Sequence, residues 1–158
     1  MQLFKALQPI SVLSFDLDDT LYDNKPVIAA AEAAMLQSLA QHAPITRGYD
    51  SDFWWQQRRI LAKATPEIRH DLGRWRLLGI EAGLVSLGLS QCEAGEIAEV
   101  AYTAFWQERT NIKIKPEVKA LLTALASRYQ LIAITNGNAC IQKMGLGDLF
   151  EFSLQAGP

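Results

Sequence analysis

The chain has 158 residues, 49% of them apolar and 20% charged, which is enough for a packed core and excludes an intrinsically disordered chain. A net charge of -2 leaves no electrostatic footprint for nucleic acid. No apolar run reaches the roughly 18 residues needed to span a membrane, and no basic segment leads into an apolar one as in a signal peptide. Cys92 and Cys140 lack metal-ligand spacing and read as ordinary thiols, which fits a reducing, cytoplasmic compartment.

In chain order, Ile10-Ser11-Val12-Leu13-Ser14-Phe15 is an apolar run bounded by polar residues, the pattern of a buried strand. The turn Asp16–Thr20 follows. Asp23 or Asn24 caps a first helix, with Pro26 in its first turn, that runs to about Gln41. Asp50 or Ser51 caps a second, to about Lys63. Thr65-Pro66-Glu67 opens a third that ends near Gly88, with Ile68, Leu72, Trp75 and Gly79 as its packing stripe. His70 and Arg74 fall on the opposite side of that helix. Ser90-Gln91-Cys92-Glu93 is a capping box for a fourth helix, which reaches about Arg109.

The pattern then changes. Pro116 opens a helix whose Val118, Leu121, Leu122, Leu125 and Tyr129 share a face. Leu131-Ile132-Ala133-Ile134 is a second buried strand, and it ends in the polar turn Thr135-Asn136-Gly137-Asn138. Residues from Phe152 to Ala156 suit a third. Helix followed by buried strand is the grammar of an open parallel α/β sheet, so the fold class is α/β, with a partial Rossmann-like sheet and an inserted helical block. The expected division is a core from residues 1–23 and 111–158 and a helical insertion over 24–110. Ligands of such sheets sit outside the carboxyl ends of the strands, where both polar turns fall. The turns converge if the two strands are neighbours.

Two carboxylates two residues apart at the end of a buried strand are costly unless they do chemistry or hold a cation. Asp16 is placed as a nucleophile that would take a phosphoryl group as an acyl-phosphate, splitting hydrolysis into two easier steps. Asp18 is the candidate general acid, then base. Attack of an anion on a phosphate needs charge neutralisation, and Mg²⁺ held by Asp16 and Asp18 is the natural agent. Thr135 and Asn136, with nearby N–H groups, would cradle the phosphoryl oxygens.

Other polar residues have blander readings. Thr20 and Asp19 suit loop roles, and Asp23 suits a helix cap. His70 and Arg74 could contact a substrate from the helical block or form an exposed polar patch. Trp54, Trp55, Trp75 and Trp106 suit helical-block core better than stacking on a planar ligand. Arg58, Arg59, Arg69 and Arg76 suit solvated or ion-paired positions.

Val12-Leu13-Ser14-Phe15-Asp16-Leu17-Asp18-Asp19-Thr20-Leu21 resembles the first motif of the haloacid dehalogenase-like (HAD) hydrolases, and Leu131-Ile132-Ala133-Ile134-Thr135-Asn136-Gly137 resembles their second. The helical block resembles the C1-type cap that these enzymes insert between the two. Residues 16–24, 68–76 and 133–138 resemble the YigB branch in particular. The resemblance implies a Mg²⁺-dependent phosphomonoester hydrolase acting on a small phosphorylated metabolite, such as flavin mononucleotide or a riboflavin-pathway sugar phosphate.

The resemblance also implies a third motif, a Lys, and a fourth, an acidic pair, in a segment beyond Pro158. Lys113, Lys115, Lys119 and Lys143 lie upstream of the expected place and are not assigned to the role. The expectation is therefore the N-terminal part of a longer enzyme, with little activity alone and with self-association through an exposed sheet edge. Two alternatives stand beside it: a catalytically inactive domain that binds a partner or a phosphorylated ligand, and a phosphomutase.

Overall fold

The structure is a computed structural model and describes residues 9–155. Ala156, placed above in the third strand, lies outside them. The described residues form two compact units: residues 9–24 with 110–155, and residues 25–109.

The first unit is built on a sheet of three parallel strands, β1 (Val12–Phe15), β2 (Gln130–Thr135) and β3 (Phe152–Gln155), in the order β1-β2-β3. Leu13 pairs with Leu131 and Phe15 with Ala133, while Thr135 pairs with Gln155. This register brings the ends of β1 and β2 side by side. Side chains alternate between the two faces of a strand. On β2 the face carrying Leu131, Ala133 and Thr135 is buried, and Phe15 meets Phe150 edge to face at 6.1 Å. The opposite face carries Val12, Ile134, Phe152 and Leu154, at 42–54% exposure. β1 and β3 are the sheet edges among the described residues.

A helix, α5 (Pro116–Ala126), precedes β2 and packs against it. Leu122 is buried, whereas Leu121 is 58% exposed. The expected apolar face therefore excludes Leu121, which sits at the margin of a stripe centred on Val118, Leu122 and Leu125. Tyr129 follows the helix end rather than sharing its face.

The second unit contains α1, which starts at Asn24 and ends at His42, α2 (Ser51–Ala64), α3 (Leu72–Ser86) and α4 (Gln91–Arg109). The Asp50 carboxylate caps α2 by accepting from the Asp52 and Phe53 N–H groups at 3.1 and 3.2 Å. Ser90 and Glu93 close a capping box on α4: the Glu93 carboxylate accepts from the Ser90 N–H and hydroxyl, and the Ser90 hydroxyl accepts from the Glu93 N–H. The third helix is shorter than its sequence suggests. Residues from Pro66 to His70 form a separate 3₁₀ turn, and α3 begins afresh with Asp71 accepting from the Arg74 N–H at 2.9 Å. A second capping aspartate competes with helix continuation. His70 and Arg74 therefore do not share a helix, and Leu72 of the expected stripe is 40% exposed.

The core of this unit gathers Ala31, Met35 and Leu39 from α1, Trp54 from α2, Ile80 and Leu84 from α3, and Ala94, Ala98 and Phe105 from α4. Each large side chain so buried contributes about 1.5–3 kcal/mol. Two glycines set the spacing between α2 and α3. A Cβ at Gly79 would run into Arg58, and one at Gly83 would meet the Trp54 ring. The Trp75 indole N–H donates to the Arg58 carbonyl at 2.7 Å and ties the two helices together.

Arg58 was expected to be solvated or ion-paired, and it is neither. It is 8% exposed, and its guanidinium lies 4.8 Å from the Trp55 ring centre and 4.4 Å from that of Trp75. Each such contact is worth about 0.5–2 kcal/mol. Arg76 pairs with Glu32 at 3.5 Å and lies over the Phe105 ring at 3.8 Å. Burial, and then the charge of Arg76, pull the Arg58 guanidinium well below its ordinary value, down to about 9. Among the described residues no helix is long and apolar enough to cross a membrane.

Candidate active site

The loop after β1 is held by two apolar anchors. Leu17 and Leu21 are buried at 0% and 5% exposure, and the Leu17 carbonyl accepts from the Thr20 and Leu21 N–H groups at 3.3 and 3.0 Å. Turning so sharply puts Asp19 at φ 57°, a left-handed conformation that Asp tolerates better than most residues. Its carboxylate accepts from the Asn24 N–H at 2.9 Å. Asp19 thus fastens the loop, as a turn residue should. With the leucines turned inward, Asp16 is exposed and Asp18 half-buried.

Each carboxylate is oriented locally. Asp16 accepts from the Leu17 N–H at 2.8 Å. Asp18 accepts from the Tyr22 hydroxyl, one helical turn along the chain. Tyr22 was not singled out from the sequence, although its i+4 spacing from Asp18 was the available signal.

The turn after β2 is held from two sides. Thr135 is buried, and its hydroxyl accepts from the Gly137 N–H at 3.0 Å. The Gln155 amide donates to the Gly137 carbonyl at 2.9 Å and to the Asn138 side chain at 3.2 Å. No local pattern marks Gln155. Its role depends on the β2–β3 register, which places it opposite Thr135.

The two turns meet. Asp16, Ile134, Thr135, Asn136, Leu154 and Gln155 line one open depression of about 550 Å³. Asp18 is not in that lining. Its carboxylate packs against Gly137 instead, closely enough that a Cβ there would collide with it. His70 and Arg74 belong to the helical unit, and both are exposed.

The arrangement suits a phosphate with a divalent cation. Mg²⁺ is commonly held by one or two carboxylates together with substrate oxygens and water. Asp16, which lines the depression, can supply one such carboxylate, and Asp18, two residues on along the same loop, lies outside the lining against Gly137. Among the described residues no group of three His, Cys, Asp or Glu side chains forms a fuller cage.

Comparison with known proteins is consistent in its family. The profile of the haloacid dehalogenase-like hydrolases matches residues 10–157. The chain is 42% identical, over its full length, to the 5-amino-6-(5-phospho-D-ribitylamino)uracil phosphatase YigB of Escherichia coli K12, and it spans 66% of that protein. A crystal structure of a 2-haloacid dehalogenase from Pseudomonas syringae pv. Tomato DC3000 superposes with a TM-score of 0.85 at 36% identity, covering 94% of this chain and 64% of the other. A haloacid dehalogenase-like family hydrolase from Xanthomonas campestris shares the fold alone, with a TM-score of 0.57 at 22% identity, over 94% of this chain and 63% of its own. The chain thus spans just under two thirds of each of these relatives. A match running from the first strand to the last described one makes the chain a member of the haloacid dehalogenase-like hydrolase family.

Proposed function

We propose that the chain carries the nucleophile and phosphate-binding half of a phosphomonoester hydrolase working through an aspartyl-phosphate. The observation that carries this reading is the shared depression. Asp16, Thr135 and Asn136 line one space at the carboxyl ends of two adjacent parallel strands.

The Asp16 carboxylate attacks phosphorus, and the phosphorus–oxygen bond to the substrate alcohol breaks. Asp18 gives its proton to the departing alkoxide and later takes one from the water that opens the acyl-phosphate. The Tyr22 hydroxyl orients Asp18 for both steps. Asn136 and the N–H groups of its turn receive the phosphoryl oxygens, and Gln155 keeps that turn in place. Mg²⁺, held by the Asp16 carboxylate with substrate oxygens and water, would supply the charge neutralisation that attack on an anion requires.

The name of the Escherichia coli relative supports a ribityl-type phosphomonoester as the substrate class; the proposal further takes the helical unit as a cap, with the exposed His70 and Arg74 as its substrate contacts. A riboflavin precursor phosphate and flavin mononucleotide are the first two substrates to try, and the cytoplasm is the compartment this chemistry suits. The name of the Pseudomonas relative raises halide displacement instead. Asp18 favours the phosphatase reading, because a departing alkoxide needs a proton and a departing halide does not.

The test is hydrolysis of p-nitrophenyl phosphate with and without Mg²⁺, by this chain and by a chimera that adds the part of YigB this chain does not span. Both are compared with their Asp16→Asn forms. The expected result is Mg²⁺-dependent turnover that falls by a factor on the order of 10³ or more in Asp16→Asn, since the covalent step has no substitute. Turnover that survives Asp16→Asn in both proteins sinks the assignment.

A further inference from the structure

We propose that the interior of the helical unit binds one small monovalent anion, chloride in solution, between α1, α2 and α3. The inference stands apart from the hydrolase reading and uses none of its residues.

A cavity of about 10 Å³ lies among Glu32, Ser51, Trp54, Arg58 and Arg76, all within this unit. It has room for a single water-sized particle. A phosphate or a carboxylate-bearing metabolite does not fit.

The charge around it does not balance. Arg58 and Arg76 bring two positive charges, and Glu32, which already pairs with Arg76, brings one negative. The depression of the Arg58 guanidinium to about 9, by burial first and Arg76 second, agrees with that excess.

The hydrogen-bonding groups are just as one-sided. The Arg58 Nε–H and the Trp54 indole N–H are both buried without an acceptor. Both are donor-only groups, and each belongs to a residue that lines the cavity. The Trp55 and Trp75 rings lie over the Arg58 guanidinium, so it is the edge of the group that still lacks a partner. A water molecule would satisfy one or both donors but would bring two O–H groups of its own. The side-chain acceptors among the five residues named are the Glu32 carboxylate, whose Oε1 already takes the Arg76 guanidinium, and the Ser51 hydroxyl. A monatomic anion accepts from both N–H groups, needs no acceptor and offsets the surplus charge.

The test is thermal unfolding of the full chain in sodium chloride and in sodium gluconate at equal ionic strength, together with crystals grown in bromide. The expected results are a saturable rise in Tm in chloride alone and an anomalous bromide peak in the cavity. Arg58→Met should abolish the chloride response. Trp54→Phe keeps an aromatic six-membered ring but removes the five-membered ring that carries the N–H, so it should weaken the apparent chloride affinity about tenfold or more, the loss of one hydrogen bond to a charged partner. It carries the test even if Arg58→Met fails to fold. Identical melting in the two salts, a cavity without bromide, or an unchanged chloride response in Trp54→Phe would each overturn the proposal and leave the cavity to water.

Discussion

The sheet unit and the helical unit keep their polar groups in opposite places. In the sheet unit Asp16 and Asn136 are exposed at strand ends, while Val12, Ile134, Phe152 and Leu154 leave an apolar face open. In the helical unit Arg58 and Arg109 lie inside at 8% and 4% exposure. The first pattern presents chemistry to a ligand arriving from solvent. The second spends packing on holding charge among aromatic rings. The two glycines with the tightest surroundings follow the same division: Gly137 lies against a carboxylate of the candidate site, and Gly79 against a buried arginine.

Substituting those glycines separates the two regions. The largest effect is expected for Gly137→Ala. The new Cβ would collide with the Asp18 carboxylate, and the turn is pinned by Gln155, so neither side yields easily. Phosphatase turnover in the chimera should fall by a factor of about 10–100, with a stability loss of roughly 1–3 kcal/mol. A rate assay beside a urea titration checks both. Turnover close to that of the parent would mean that Asp18 does not need its position against Gly137.

Gly79→Ala should act on stability with no direct effect on the sheet site. Its Cβ would strike the Arg58 side chain and come within 3.3 Å of the Arg58 Cα. The backbone of α2 must then move, at about 1–3 kcal/mol. Lowered stability with the sheet-site residues undisturbed in NMR spectra is the expected outcome. A shift in the sheet unit as large as that in the helical unit would break the separation.

The same contrast explains what the sequence made legible. The two polar turns are runs of adjacent residues, each following an apolar strand, so their place at carboxyl ends could be read directly. Pairing of β1 with β2 then brings them together. The capping box at Ser90 and the cap at Asp50 were equally local. The break before α3 escaped notice because Asp71 sits inside a stripe of helical period, and its capping bond outweighs that period only once the chain turns. Arg58 and Gln155 were not legible for a different reason. Arg58 is buried by Trp55 of its own helix and by Trp75, seventeen residues on. Gln155 acts through a strand register. Each needs a partner distant in the chain, Trp75 for Arg58 and the paired strand for Gln155.

Gly95→Ala is a control for both glycine tests. Gly95 lies inside α4, and a Cβ there would meet nothing within 4 Å. Removing backbone freedom from the unfolded chain without a clash should raise stability by about 0.4–1 kcal/mol. A loss would show that packing around α4 is tighter than its open surroundings indicate.

The smallest effect belongs to the surface of the same helix. The Ser90 hydroxyl and N–H hold the exposed Glu93 carboxylate below its usual 4.5. A folded value below the unfolded one means that this contribution is fully present above 4.5 and fades as pH falls through the lower folded value. Ser90→Ala should therefore lower Tm near neutral pH, and the gap from the parent should narrow as pH falls well below 4.5 and Glu93 takes up its proton, without closing, because the parent keeps the bond from the Glu93 N–H to the serine hydroxyl. Paired melts at the two pH values decide it. A gap of equal size at both would assign the whole effect to the serine hydroxyl as a cap and none to the carboxylate that faces it.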